Sequence, residues 1–234
     1  MTNALQGIYR SWKGEFTLIR DIAKSRYPAS VGAQYELSYL ERAVMIILVF
    51  ARSLSLSHAG GAFRGYAARS HFSESYVLGW LCLLSSMLAI WPNGAVAATL
   101  ATYRIADSFC YRLCVLFVDR YKSAWGLRSV NRAIILAIIN YLELVVGFAI
   151  IYAWSGSVSN STTCRVLSGS VEALYFSCVT ATTVGYGDYT PNNHLGQALV
   201  VAEILMAVLL LALVLGALLT GVRDIQPLRK DDDA

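Results

Sequence analysis

The chain has 234 residues, of which 56% are hydrophobic and 15% charged, and its mean hydropathy is +0.53. Soluble domains carry a charge on about a quarter of their residues, so this composition excludes an ordinary soluble domain and predicts a polytopic membrane protein. The net charge of +4 is small and its basic residues are dispersed, which argues against nucleic-acid binding. The five cysteines include no CxxC pair and predict neither a disulfide framework nor a metal site.

The first 75 residues predict amphipathic helices at the cytoplasmic face of a membrane. Apolar residues recur there at steps of three or four, namely Leu5, Ile8, Trp12, Phe16, Ile19 and Ile22. Basic residues occupy the other sides of that helix, which is typical of a segment lying on a membrane; packing against a neighbouring subunit is the alternative. Residues 37–56 contain too short an apolar run for a span. We interpret them as an interfacial or partly embedded helix, followed by a glycine-rich polar link.

Residues 76–132 predict two transmembrane helices and a basic link after them. The first helix covers residues 76–91 and ends at Pro92-Asn93-Gly94, which is a turn signal. The second covers residues 95–118 and is unusual because three charged residues interrupt it. The link that follows is rich in arginine and lysine, which are concentrated on the cytoplasmic side of membrane proteins.

Residues 133–222 predict a third span, a re-entrant helix and a fourth span. Residues 133–154 form the third span, and a polar loop follows it. Residues 171–182 are apolar but only long enough to reach partway across the bilayer. Residues 195–222 form the fourth span, which leaves residues 223–234 as a short cytoplasmic tail.

The segment between the re-entrant helix and the fourth span has two glycines that alternate with larger residues: Thr182, Thr183, Val184, Gly185, Tyr186, Gly187 and Asp188. Glycine adopts backbone conformations that other residues avoid, so a run of carbonyls can point to one side here. Residues 183–187 match the selectivity-filter signature of the tetrameric potassium channels, and Thr182 and Asp188 flank the signature as they commonly do there. The chain therefore resembles that family over about residues 133–222, the pore module.

The resemblance implies that stacked rings of oxygen atoms replace the water shell of a potassium ion. The coordinating groups would be the hydroxyl and carbonyl of Thr183 and the carbonyls of Val184, Gly185 and Tyr186, with Gly187 completing the filter. The side chains of Val184 and Tyr186 are expected to pack against the re-entrant helix. K+ would be the permeant ion, and no organic cofactor is expected. Because one chain carries one copy of the motif, a closed pore needs four chains and implies a homotetramer.

The resemblance also assigns support for the filter to the re-entrant helix. Tyr175 and Phe176 take the places of an aromatic pair that often braces the filter in this family. Val179 stands where some relatives have a buried glutamate that partners the aspartate equivalent to Asp188. That partner is missing here, so we expect Asp188 to bond to the Tyr175 hydroxyl instead.

Four apolar residues are placed by the resemblance on the side of the last span that faces the pore cavity: Val208, Leu211, Leu215 and Leu219. Their steps of three and four put them on one helix face. A tetrameric ring of leucines near the cytoplasmic end can gate a pore by dewetting. Ordinary packing by these leucines is the alternative.

Charged residues inside predicted spans require partners, because an unpaired ion within a bilayer is costly. Helix geometry places Arg104 and Glu203 at similar depths, and Glu143 close to Asp107. We expect Arg104 to pair with Glu203 or Glu143 and so to attach the first two spans to the pore module, with water-filled crevices or snorkelling as alternatives. Voltage-sensing helices carry arginine at every third position, whereas Arg104 and Arg112 are eight residues apart. Steep voltage gating is therefore not expected.

Together these patterns predict an all-α membrane protein in which a potassium-channel pore module (outer helix, re-entrant pore helix, filter and inner helix) follows two extra transmembrane helices and N-terminal amphipathic helices. The distribution of basic residues puts both termini in the cytoplasm of a multi-pass protein, by default in the plasma membrane. We expect potassium-selective conduction and no enzymatic activity. The alternatives are a weakly selective cation channel and a membrane signalling protein with a vestigial filter. The sequence identifies no regulatory partner.

Overall fold

The computed structural model describes residues 13–14, 16–20, 22–23, 38–53, 66–117 and 130–223. This part of the chain is mostly helical, with α1 (Tyr39–Ser53), α2 (Tyr66–Ile90), α3 (Ala95–Phe117), α4 (Val130–Ser155), α5 (Ser170–Ala181) and α6 (His194–Arg223). Two short strands, β1 (Val158–Asn160) and β2 (Tyr189–Pro191), flank α5. Four predicted features lie mostly outside the described residues: the glycine-rich link, the basic link after α3, the tail, and the start of the N-terminal stripe (Leu5, Ile8 and Trp12).

The chain forms two compact units, one from residues 1–83 and 99–125 and the other from residues 84–98 and 126–234. In the first unit, α1 begins with a capping box in which the Ser38 amide donates to the Glu41 carboxylate and the Glu41 amide donates to the Ser38 hydroxyl. This helix corresponds to the one predicted over residues 37–56. Leu18 and Ile22 of the N-terminal helical residues pack on the buried face of α1, against Met45 and Val49.

Helices α2 and α3 follow the predicted order, with one difference in their bounds. α2 begins at Tyr66 rather than at residue 76, so the helix extends ten residues into the segment predicted as a polar link. The predicted turn between the two helices is present, with the Gly94 amide donating to the Trp91 carbonyl over 3.2 Å. Near the end of α3, the Cys114 thiol donates to the Leu48 carbonyl and joins α3 to α1.

Among the described residues, two helical segments are long and apolar enough to cross a membrane, Ile134–Ser155 of α4 and His194–Gly216 of α6. The apolar part of α2, Glu74–Ile90, is shorter than the roughly 20 residues that a span needs. α3 is long enough but carries charged residues in its middle. The two apolar helices indicate a membrane protein, while membrane crossing by α2 and α3 stays a prediction.

In the second unit, α4 packs against both α5 and α6. The second half of α4 is buried around most of its circumference, and its buried residues include Leu144, Val145, Phe148, Ala149 and Tyr152. The ring of Phe176 on α5 meets Tyr152 edge to face, with centroids 4.9 Å apart, a geometry that aromatic pairs favour. At its start, α5 is joined to the end of α2 because the Ser170 hydroxyl donates to the Leu88 carbonyl over 2.7 Å.

The loop between α4 and α5, which was predicted as a polar loop, contains a short strand. β1 pairs antiparallel with β2, so that Val158 lies opposite Pro191 and Asn160 opposite Tyr189. The chain then turns back along the other side of β1, where the Leu167 amide donates to the Val158 carbonyl. Strands of three residues are too short to show the alternation of apolar and polar residues by which strands are recognised. This small sheet, which we call the outer sheet, links the segments on either side of α5.

A glycine lets the first turn of α6 approach the outer sheet closely. A Cβ added to Gly196 would overlap the Ser157 carbonyl oxygen and lie 3.0 Å from the Pro191 Cβ. The Ser157 carbonyl also accepts a hydrogen bond from the Asn192 amide over 3.0 Å, next to Pro191. Because this bond ties the two neighbouring segments together, neither can move away easily. The contact therefore fixes where the outer sheet sits on α6.

Replacing this glycine is expected to destabilise the protein. Gly196→Ala should lower the free energy of unfolding by about 1–3 kcal/mol, since an added methyl group in a close-packed contact forces the backbone apart. Denaturant unfolding of the purified protein in detergent measures the change. Gly79→Ala is the matched control, because nothing lies within 4 Å of a Cβ at Gly79, and it should be neutral or slightly stabilising. A Gly196→Ala protein as stable as wild type would contradict this account of the contact.

Candidate functional site

The segment after α5, residues 183–187, is continuous with the last turn of that helix; we call it the filter segment. The Thr183 amide donates to the Thr180 carbonyl over 2.9 Å, and the Val184 amide donates to the Val179 carbonyl over 3.0 Å. These bonds fix the start of the filter segment to the C-terminal end of α5. That end of a helix carries a partial negative charge, which favours a cation nearby.

Along the filter segment, the backbone φ angle is positive at every second residue. Thr183, Gly185 and Gly187 have φ angles of 59°, 60° and 80°, in the left-handed region. In an extended strand successive carbonyls point in opposite directions, whereas alternation of hand brings them toward one side. The glycines were expected to allow this conformation, but Thr183 was not. A left-handed threonine costs about 1–3 kcal/mol, and such strain is concentrated at functional sites.

The side chains of the filter segment are exposed in the single chain. Val184 is 53% exposed and Tyr186 is 70% exposed. α5 of the same chain leaves most of their surface uncovered, so the packing of both side chains against a re-entrant helix stays a prediction. Nothing lies within 4 Å of a Cβ added to Gly185 or Gly187. Backbone conformation, rather than lack of space, is what requires glycine at these two positions.

The residues expected to support the filter segment occupy two sides of α5. The ring of Tyr175 lies edge-on to Tyr189, with centroids 6.2 Å apart, and its hydroxyl lies near Asp188; the hydrogen bond expected between Tyr175 and Asp188 stays a prediction. Phe176 is buried against α4, and Val179 is half-buried. Tyr175 thus contacts the outer end of the filter segment, while Phe176 anchors α5 to the helix behind it.

The outer sheet holds the far end of the filter segment through Ser161. The Ser161 amide donates to the Asp188 carbonyl over 2.8 Å, and its hydroxyl donates to the Gly187 carbonyl over 2.6 Å. Ser161 was not identified from the sequence as a contact of the filter segment, because it lies 26 residues before Gly187. The filter segment is therefore held at one end by α5 and at the other by the outer sheet.

Three of the charged residues predicted to lie within spans, Arg104, Asp107 and Glu203, have partners within their own units. In the first unit, Arg104 forms an ion pair with Asp107 over 3.2 Å, and its guanidinium lies 5.1 Å from the centre of the Tyr76 ring. In the second unit, the Glu203 carboxyl group contacts the hydroxyl groups of Tyr152 and Ser177. The partners of Asp107 and Glu203 include hydroxyls that were not identified from the sequence. Pairing of Arg104 with Glu203 or with the equally buried Glu143 stays a prediction.

The residues expected to line the cavity share an uncovered face of α6. Val208, Leu211 and Leu215 are each about half exposed in the single chain. Leu219 continues the stripe along the same helix, and its side chain lies outside the described residues. An apolar stripe that the chain itself leaves open is available to line a cavity or to contact other helices.

Known proteins similar to the chain are channels. Residues 140–223 match the sequence profile of a family described as "Ion channel". The "Two pore potassium channel a" of Oryza sativa subsp. japonica is 39% identical over 79 residues, which cover 34% of this chain and 22% of that protein. The chain is therefore similar in part to potassium channels. The matched part, residues 140–223, which we call the channel module, contains most of α4, α5, the filter segment and α6.

A second group of relatives is similar over a longer part of the chain. The "Potassium voltage-gated channel subfamily KQT member 1" of Squalus acanthias is 28% identical over 141 residues, or 58% of this chain and 21% of that protein. The human protein of the same name is 29% identical over 154 residues, or 62% of this chain and 22% of that protein. The chain spans about a fifth of the length of these curated relatives. No solved structure matches it.

Removing the Ser161 hydroxyl tests whether the outer sheet holds the filter segment. Ser161→Ala should increase amide hydrogen exchange in a peptide covering residues 185–191 about fivefold, since a hydrogen bond contributes about 1 kcal/mol. Mass spectrometry of the purified protein measures the exchange. Ser168→Ala, an exposed serine of the same loop, is the control and should leave it unchanged. Equal exchange in Ser161→Ala and wild type would show that this contact does not hold the segment.

Proposed function

We propose that the chain conducts potassium ions selectively and passively across a membrane. The observation that supports this most strongly is the alternation of backbone hand at Thr183, Gly185 and Gly187, within a stretch that carries the filter signature. This conformation aligns carbonyl oxygens, which replace the hydration shell of K+ in potassium filters. The proposed ion-binding groups are the Thr183 hydroxyl and carbonyl and the carbonyls of Val184, Gly185 and Tyr186.

The conducting form is proposed to be a homotetramer. A single filter segment offers oxygen atoms from one side only, whereas a dehydrated ion has to be surrounded. The exposed side chains of the filter segment and the uncovered stripe of α6 supply apolar surface for contacts between copies. A closed ring of identical chains satisfies all copies of such a surface at once. Four copies place one filter segment on each side of a central ion.

The proposed channel lacks steep voltage gating, although two of the similar proteins above are named voltage-gated. α3 carries Arg104 and Arg112 eight residues apart, and Arg104 is held by Asp107 one turn further along the same helix. A voltage sensor needs several charges that move together through the membrane field. Two separated arginines, one of them neutralised by a fixed partner, provide little charge to move. Both termini are proposed to be cytoplasmic, in the plasma membrane, because the basic residues crowd the segments on that side.

Ion flux into proteoliposomes tests the function. Vesicles containing the purified protein should take up rubidium far faster than sodium, and barium should block the uptake, because Rb+ and Ba2+ resemble K+ in size. Gly185→Ala should reduce rubidium uptake about tenfold or more, since alanine in the left-handed region costs roughly 1–2 kcal/mol in each chain. Gly79→Ala, which changes a glycine outside the channel module, should not.

The outcomes separate the proposed function from its alternatives. Equal uptake of sodium and rubidium would indicate a weakly selective cation channel, and no uptake would indicate a filter that does not conduct. Chemical cross-linking of the same vesicles should give a ladder that ends at four chains. A ladder that ends at two chains would contradict the tetramer.

A further inference from the structure

A buried carboxyl group joins the three helices of the channel module behind the filter segment. Glu203 on α6, Tyr152 on α4 and Ser177 on α5 are each fully buried, with 0% of their surface exposed; we call them the carboxyl cluster. The Tyr152 hydroxyl donates to Glu203 Oε2 over 2.8 Å, and Ser177 Oγ lies 2.5 Å from Glu203 Oε1. These contacts bring together residues that are 26 and 51 positions apart in sequence.

The number of hydrogen atoms in the cluster determines its chemistry. Ser177 Oγ also lies 2.8 Å from the Val145 carbonyl oxygen, so this one hydroxyl faces two acceptors. A serine hydroxyl has a single proton. If Glu203 were a carboxylate, that proton could serve only one of them, and the other short contact would join two oxygen atoms with no hydrogen between them.

A proton on Glu203 satisfies every contact. Glu203 Oε1 then donates to Ser177 Oγ, Ser177 donates to the Val145 carbonyl, and Tyr152 donates to Glu203 Oε2. The surroundings favour the same arrangement, because an ion in a buried site needs a charged partner. Within the described part of the chain, the Glu203 carboxyl group contacts these two hydroxyls, and neither carries a positive charge.

The cluster is placed to control the filter segment. Ser177 lies on α5, and the Thr180 and Val179 carbonyls of the same helix accept the amides of Thr183 and Val184. A change in how α5 sits against α4 and α6 is therefore passed on to the first residues of the filter segment. Ring packing between Phe176 and Tyr152 makes the cluster and the aromatic contact behind α5 one continuous support.

We propose that Glu203 is a neutral carboxylic acid that acts as a positioning residue, holding α5 in the place that keeps the filter segment selective. This inference rests on the proposed function for its effect on selectivity, but not for the protonation of Glu203. Another neutral side chain that ends in a donor and an acceptor can form the same hydrogen bonds with Ser177 and Tyr152. Glutamine has that pattern and nearly the same shape, whereas leucine has the size without either group.

The protonation is tested on purified protein without any ion flux. The infrared spectrum of wild type should contain the carbonyl stretch of a protonated carboxyl group, and Glu203→Gln should remove that intensity. Glu172→Gln, which changes a glutamate in the first turn of α5, outside the carboxyl cluster, should retain it. A wild-type spectrum without this band, or a Glu203→Gln spectrum that keeps the full band, would overturn the proposal.

The positioning role is tested by rubidium and sodium uptake into proteoliposomes, with tetramer assembly of each variant checked by cross-linking. Glu203→Leu and Ser177→Ala should lower the ratio of rubidium to sodium uptake about tenfold, since each leaves buried polar groups without partners. Glu203→Gln should keep the ratio within about twofold of wild type, because it preserves the hydrogen bonds.

The results distinguish failure of this inference from failure of the proposed function. A selective wild type together with an equally selective Glu203→Leu would overturn the positioning role. Loss of selectivity in Glu203→Gln as large as in Glu203→Leu would overturn the neutral acid, because glutamine keeps the donor and the acceptor that a protonated carboxyl group offers to Ser177 and Tyr152. A wild type that takes up no rubidium would instead refute the proposed function, and the infrared comparison would still decide the protonation of Glu203.

Discussion

The backbone of residues 183–187 has to hold an unfavourable conformation, and the rest of the channel module can be understood from that requirement. Thr183, Gly185 and Gly187 have left-handed φ angles, and the alignment of carbonyl oxygens that we propose for this segment adds repulsion between the oxygens when no cation lies between them. The side chains of this segment bury little surface within the chain. Its conformation must therefore be imposed by the structures attached to its two ends.

The two ends are held in different ways. The inner end continues from α5 through backbone hydrogen bonds, so its position is as well defined as that of α5. The outer end is tied to a sheet formed by the flanking loops, through the two hydrogen bonds of Ser161 and the pairing of β1 with β2. α5 is in turn fixed to α4 and α6 by an aromatic pair and by the carboxyl cluster. Hydrogen bonds buried among apolar helices are strongly directional. They can therefore hold α5 in one orientation against α4 and α6.

The order of the helices and the location of the filter segment could be predicted from the sequence, because long apolar runs and a glycine-containing motif are local signals. The turn at Pro92-Asn93-Gly94 and the pairing of α5 with a following long helix are of this kind. The outer sheet could not be predicted, since its strands have three residues each and pair across the whole of α5. The left-handed Thr183 was missed because glycine, not threonine, signals that conformation.

The partners of the buried charged residues could not be predicted from the sequence either. Glu203 and Arg104 could be identified as groups that need partners, but not the partners themselves. The pairing of Arg104 with Asp107 is a contact of residues three apart on one helix, which spacing alone allows. The partners of Glu203 are hydroxyls from two other helices. A serine or tyrosine in an apolar segment does not show from the sequence that it will bond to a glutamate of another helix.

The alignment of carbonyls in the filter segment is the central claim, and the reversal potential under bi-ionic conditions tests it most directly. Channels would be incorporated into a planar bilayer with K+ on one side and Na+ at the same concentration on the other. The account predicts that current reverses far from zero, at a voltage that opposes the flow of K+ alone. A reversal potential close to zero in an assembly confirmed to contain four chains would contradict it.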